Sequence, residues 1–241
     1  MGKIISVTGL EGAGKSTFSA NLALSLALKD KVVVLLPAFL DYGGIQLFFG
    51  DVIGGDKGIL AAFSDKSGRP EKFLTQSKAN KNIYILGVPN HADEPYRALF
   101  DEGVVEGVMR RLSNIADYII VDGTAGTSNP VTYYSLSQSA MAFEIITLSS
   151  RAAMRINALR NLFALLCDDK LFYLVSEANI GCDSHKFLEE IKIEPLAYLP
   201  FVADAPDLEN EATLIYSSRK GKKYKAVIDK MAQSIISAGG D

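Results

Sequence analysis

Gly9-Leu10-Glu11-Gly12-Ala13-Gly14-Lys15-Ser16 concentrates residues suited to one piece of chemistry. The octet satisfies G-x-x-x-x-G-K-[ST], with the apolar run Ile4 to Thr8 just before it and a helical pattern just after. Its glycines let consecutive backbone N–H groups turn inward around an anion with no Cβ in the way, and the following helix presents its positive end. Lys15 then reaches the β and γ phosphates of ATP or a close relative, and Ser16 offers a hydroxyl to Mg²⁺, a cation that takes hard oxygen ligands. Gly12, Ala13, Gly14, Lys15, Ser16 and Thr17 are the expected phosphate-binding residues. A second candidate is Asp122, at the end of the run Tyr118 to Val121, where a carboxylate can hold Mg²⁺ through water while Gly126 approaches the terminal phosphate. Asp41 is the nearest carboxylate after the second apolar run. It orients water or the metal if its loop folds back, and simple solvation of a loop acid is the competing reading.

Those side chains need elements to position them. Short β-rich apolar runs recur at Ile4 to Thr8, Val32 to Leu36, Ile83 to Leu86, Tyr118 to Val121, Phe143 to Leu148, Leu171 to Val175 and Leu196 to Leu199. Continuous apolarity predicts strands buried on both faces. Helical spacing over Thr17 to Lys29, Glu102 to Ile115, Ala152 to Leu166 and Ser184 to Ile191 alternates with them, the pattern of βαβ crossovers. The expected fold is α/β: a doubly wound, mainly parallel sheet of about seven strands with helices on both faces, one P-loop domain over residues 1–241. Asp51 to Asn82, rich in glycine, reads as loops around a short helix near Ile59 to Phe63. Tyr224, Val227, Ile228, Met231 and Ile235 form one stripe of a final helix, expected to pack on the domain rather than on a membrane.

Bulk properties narrow the partners. At 241 residues with a net charge of −3, the chain is unsuited to coating nucleic acid. The basic run Arg219 to Lys225 reads as a solvated helix start, and Arg151, Arg155 and Arg160 as a solvated helix face. Two cysteines, Cys167 and Cys182, and two separated histidines, His91 and His185, predict reduced thiols and no structural transition metal. The N-terminus carries no signal-peptide pattern and no apolar run is long enough to cross a bilayer. The expected location is cytoplasmic, with membrane contact at most peripheral.

Read locally, Val7 to Thr17 also looks like the loop of thymidylate kinase and other nucleotide kinases. Such kinases need arginines along the phosphoryl path, and the second strand here leads to Pro37-Ala38-Phe39-Leu40-Asp41-Tyr42 with none. The rest of the chain resembles the ParA/MinD family of deviant P-loop ATPases almost end to end. Asp117 to Gly126 resembles that family's switch II; Ser149 to Leu166 fits the helix after its fifth strand; Leu199-Pro200 and Glu209-Asn210-Glu211-Ala212 resemble its Ile-Pro and Asn-x-Gly regions. By this resemblance Pro200, Phe201 and Val202 flank the base. Leu40-Asp41-Tyr42-Gly43-Gly44 is similar to the CpaE/TadZ type, associated with pilus assembly and polar localisation.

The chain departs from the family pattern in three features. Leu10 stands where typical members carry a signature lysine that reaches the partner's phosphates across a dimer. Pro37 and Phe39 replace an Asp-x-Asp pattern, and Ser176 replaces a base-reading Asn. Glu11 adds a carboxylate near the phosphates. The resemblance therefore implies an ATP-binding, Mg²⁺-dependent, homodimeric switch that acts on another macromolecule, with Lys15, Asp41 and Asp122 as catalytic candidates. Its hydrolysis is expected to be slow or partner-dependent. A nucleotide kinase and a non-hydrolysing adaptor are the alternatives.

Overall fold

The computed structural model describes residues 1–89, 101–176 and 183–238. His91 and Cys182 fall outside the described residues. In chain order the elements are β1 (Lys3–Gly9), α1 (Lys15–Ala27), β2 (Val33–Pro37), α2 (Gly58–Ser64), β3 (Thr75–Gln76), β4 (Ile83–Ile85), α3 (Glu102–Leu112), β5 (Tyr118–Asp122), α4 (Pro130–Gln138), β6 (Met141–Thr147), α5 (Ser150–Leu166), β7 (Leu171–Ser176), α6 (Ser184–Ile191), β8 (Ala197–Leu199), α7 (Ala205–Asn210) and α8 (Lys222–Ser237). A 3₁₀ turn over Ile45–Phe49 follows β2. The eight strands form one sheet in the order β3-β4-β2-β5-β1-β6-β7-β8, parallel throughout except for β3, which runs antiparallel to β4.

All seven apolar runs are strands, and the sheet has one strand more than expected. β3 is only two residues long and carries no apolar stretch; it lies at the sheet's edge, where pairing with β4 holds it. Period-2 alternation then sorts the core onto two faces. Ile5 and Val7 of β1 and Val33 and Leu35 of β2 join α1 and α8 in one cluster, whereas Ile4, Val34 and Leu36 join α2 and α3 in another. Tyr224, Ile228, Met231 and Ile235 of α8 are buried in the first cluster, so that stripe packs on the sheet. Among the described residues no helix is long and apolar enough to cross a membrane.

Helix starts follow side-chain chemistry. Asp101 caps α3 by accepting from the Val104 N–H at 2.8 Å, and Val105, Val108, Met109 and Leu112 then form its buried stripe. Asn129 caps α4 ahead of Pro130, and Ser149 caps α5. α1 starts above the carboxyl end of β1, and the parallel register keeps the ends of β1, β2 and β5 level: Val7 and Pro37 both pair with Asp122. In open α/β sheets that edge, where successive crossovers diverge to opposite sides, is where ligands bind.

Candidate functional site

The loop between β1 and α1 has the backbone that its glycines allow. Gly12 and Gly14 adopt φ of 74° and 95°, and a Cβ at either would project into open space rather than into protein. Side chains other than glycine rarely adopt these angles. Gly14 is the N-cap of α1 and no side chain caps the helix, so its first N–H groups remain for an anion. A cleft of about 520 Å³ opens here, lined by Gly12, Gly14, Lys15, Ser16 and Thr17 on one side and by Asp122 to Ala125 on another.

Lys15 and Asp122 define the electrostatics. The Lys15 ammonium donates to the Leu10 carbonyl at 2.9 Å, and burial lowers its pKa against the opposing charge of Asp122. Ser16 Oγ donates to Asp122 Oδ2 at 2.6 Å, joining residues 106 apart in sequence. Burial pushes the Asp122 carboxyl up to about 6, with the Ser16 hydrogen bond and the Lys15 charge pulling the other way. Asp122 Oδ1 is buried with no hydrogen-bond partner among the described residues, although the Ser19 hydroxyl, likewise unpaired, is near enough to favour the ionised carboxylate. An orphaned carboxylate oxygen costs free energy unless a ligand or ion completes it. One hydroxyl and one carboxylate, both hard oxygens, beside a phosphate-sized cradle suit Mg²⁺.

The segment after β5 is tied on two sides. Its Thr124 N–H donates to Thr132 Oγ1 of α4 at 3.0 Å, and the Thr8 hydroxyl of β1 donates to the Thr124 carbonyl at 3.3 Å. Gly126 lies just beyond the cleft's lining residues, while Ala13 is buried beneath the loop. By contrast, the segment after β2 presents Phe39 and Tyr42, whose rings meet edge to face at 4.9 Å, and both line the cleft together with Ile45 and Phe48. Asp41 is exposed on this segment and lies outside the lining. Glu11 and Glu209 are exposed carboxylates at the cleft wall.

Pro200, Phe201 and Val202 follow β8, three strand spacings or roughly 14 Å from β1. They do not line the cleft; Phe201 is half exposed and Val202 packs against the core. Leu10 likewise packs against the core. One expectation is overturned: Arg155 is no part of a solvated basic face. Its side chain is 8% exposed and paired with Glu144, itself 1% exposed. Glu144 was missed, although a carboxylate within the apolar run Phe143 to Leu148 calls for a buried cation. Burial raises the Glu144 pKa, and Arg155 opposes the shift. Cys167 is buried, its thiol pushed up to about 11, which leaves it inert.

A phosphate loop between the first parallel strand and its helix, level with a strand-end aspartate, defines the class: a P-loop NTPase fold. No family model matches the chain. Two curated relatives are septum site-determining proteins MinD. One, from Thermotoga maritima, is 30% identical over 130 residues, 52% of this chain and 45% of that protein; the other, from Buchnera aphidicola, is 32% identical over 131 residues, 52% and 46% respectively. The chain thus spans about half the length of the curated relatives it matches. Among solved structures, MinD of Pyrococcus horikoshii complexed with Mg-ADP superposes with a TM-score of 0.79 at 17% identity over 100% of this chain and 98% of that one. The MinC:MinD complex of Aquifex aeolicus gives 0.79 at 20% identity over 98% and 96%, and a ParA family ATPase of Chlorobium tepidum 0.79 at 16% over 97% and 99%. At such identities the superpositions show the fold, and the sequence relatives add kinship. The fold is thus that of ParA/MinD ATPases, and over about half of its length the chain is similar in sequence to MinD.

Proposed function

We propose that the chain is an ATP-dependent molecular switch of the ParA/MinD type, acting as one P-loop domain over residues 1–241. The observation that carries this reading is the Ser16–Asp122 contact at 2.6 Å, with the second Asp122 oxygen left without a partner beside Lys15. Gly12 to Thr17 hold the phosphates through backbone N–H groups and the Lys15 ammonium, and Ser16 and Asp122 hold Mg²⁺. Mg²⁺, when bound, offsets charge on the β and γ phosphates. Gly126 approaches the terminal phosphate, and Pro200, Phe201 and Val202, assigned to the base by resemblance alone, lie beyond the residues that line the cleft. The relative complexed with Mg-ADP supports the choice of ligand.

Hydrolysis is slow or partner-dependent in this reading. Leu10 supplies no cation to a partner's phosphates, and Asp41, the candidate for orienting water, stands outside the cleft's lining until its loop folds back. The cleft wall opposite the phosphate loop is aromatic, from Phe39, Tyr42 and Phe48. Output is then a change of surface when nucleotide binds, read by a second copy of the chain and by another macromolecule. The solved MinC:MinD complex supports a protein partner, and the Leu40 to Gly44 run favours the CpaE/TadZ type with its role in pilus assembly. Leu10 and Glu11 also favour a second reading, a non-hydrolysing adaptor.

Product analysis separates these readings. A switch converts ATP to ADP and phosphate slowly when alone and faster with its partner. A kinase phosphorylates an added nucleoside monophosphate, and an adaptor binds without turnover. Brisk hydrolysis by the isolated chain would count against the proposal.

A further inference from the structure

Arg155 does more than neutralise Glu144. Its Nε and Nη2 donate to the two Glu144 oxygens at 2.8 and 3.2 Å, and that fork alone would satisfy the buried carboxylate. The remaining donors reach elsewhere: Nη2 also donates to Thr8 Oγ1 at 2.9 Å, and Nη1 donates to the Ala125 carbonyl. Thr8 in turn donates to the Thr124 carbonyl. Two consecutive carbonyls of the cleft wall are therefore held toward α5 and β1, one by Arg155 directly and one through Thr8.

A planar trans peptide points its N–H opposite to its C=O. Fixing the carbonyls of Thr124 and Ala125 on the Arg155 side turns the N–H groups of Ala125 and Gly126 away from it. Thr124 and Ala125 line the cleft shared with Lys15 and Ser16. Donors fixed in advance stabilise an anion without reorganisation when it arrives.

We propose that Arg155 is a positioning residue that aims the backbone amides of Ala125 and Gly126 at the terminal phosphate of a bound nucleoside triphosphate, so that α5 sets the preference for triphosphate over diphosphate. The inference rests on the nucleotide reading of the cleft. Glu144 holds the guanidinium in place, and lysine could not replace it because a single ammonium lacks the fork that spans carboxylate, hydroxyl and carbonyl.

The test replaces Glu144→Met and Arg155→Met together, since exchanging a buried ion pair for apolar side chains of similar volume commonly preserves the fold. Full-length parent and double variant are titrated calorimetrically with Mg²⁺-ADP and with the Mg²⁺ complex of a non-hydrolysable ATP analogue. The parent prefers the triphosphate. The double variant loses about ten- to a hundredfold of that preference, the range for hydrogen bonds to charged groups, while its ADP affinity changes by less than about threefold. If circular dichroism shows the double variant unfolded, Thr8→Val decides: it removes the relay to Thr124 and should lower the preference by about threefold or more. An unchanged preference in a folded variant, or a parent with no preference, overturns the inference and leaves the nucleotide site standing. A parent that binds neither nucleotide overturns the nucleotide reading and this inference with it.

Discussion

The two loops that flank the phosphate loop are built differently. After β5, Gly123 to Gly126 is fastened by Thr132 on one side and by Thr8 and Arg155 on the other. After β2, the chain is pinned at its first residue, where Asn129 Nδ2 donates to the Ala38 carbonyl at 2.8 Å, and then presents an aromatic pair with Tyr42 67% exposed. The first loop is held by part-buried polar bonds from Thr132, Thr8 and Arg155; the second brings Phe39 and Tyr42 to the cleft. On the proposed reading such a site holds an anion, while the segment after β2 lines the cleft with no cation among the described residues, and Leu10 inside the phosphate loop extends the contrast.

Restoring the missing cation tests the contrast most strongly. Leu10→Lys should raise ATP turnover by about 10²-fold in a phosphate-release assay, the scale of one well-placed transition-state donor, provided two chains meet across the cleft. No increase in a variant that still binds nucleotide would shift the blame to the aromatic rim.

Asp122 offers the next largest effect. Its carboxyl titrates at about 6 rather than 3.8, so the folded chain holds that proton more tightly than the unfolded one. Keeping the group ionised costs stability above pH 6, and the cost vanishes below about 3.8. Asp122→Asn should therefore stabilise the protein, in EDTA and without nucleotide, by about 2–3 kcal/mol at pH 7.5, fading as pH falls through 6 toward 4. Denaturant titration at several pH values reads this directly, and the same variant should bind Mg²⁺-nucleotide more weakly. Equal gain at every pH would mean that the strand-end carboxylate carries no ionisation penalty.

A smaller pair of effects compares the loops themselves. Thr132→Val strips the acceptor from the Thr124 N–H and should cost about 1–3 kcal/mol of stability. Tyr42→Ala should cost less than about 1 kcal/mol, since its ring is exposed and keeps one aromatic contact. Comparable losses would erase the distinction between the two loops.

Much of this layout was legible in the residues. Continuous apolar runs marked seven strands because both faces of a parallel sheet are covered, and the glycine spacing marked the phosphate loop because few other residues adopt its angles. β3 was illegible because Thr75 and Gln76 owe their conformation to a neighbouring strand rather than to any pattern of their own. Asn129-Pro130 carried a helix-start signal for α4 that went unread. Arg155 shared helical spacing with Arg151 and Arg160, and only the facing strand distinguishes it. The clue was Glu144, a charge in an apolar run, whose partner is a fact of tertiary structure. Pro200 to Val202 rested on resemblance alone, and the cleft geometry does not include them.

The most direct measurement is a calorimetric titration of the intact chain and its Lys15→Ala variant with Mg²⁺-ATP. A nucleotide switch should bind in the parent and lose at least about a hundredfold in affinity in the variant, the cost of removing a charged hydrogen-bond donor from buried phosphates. Undiminished binding by the variant, or no binding by the parent, would contradict a phosphate site at Gly9 to Thr17.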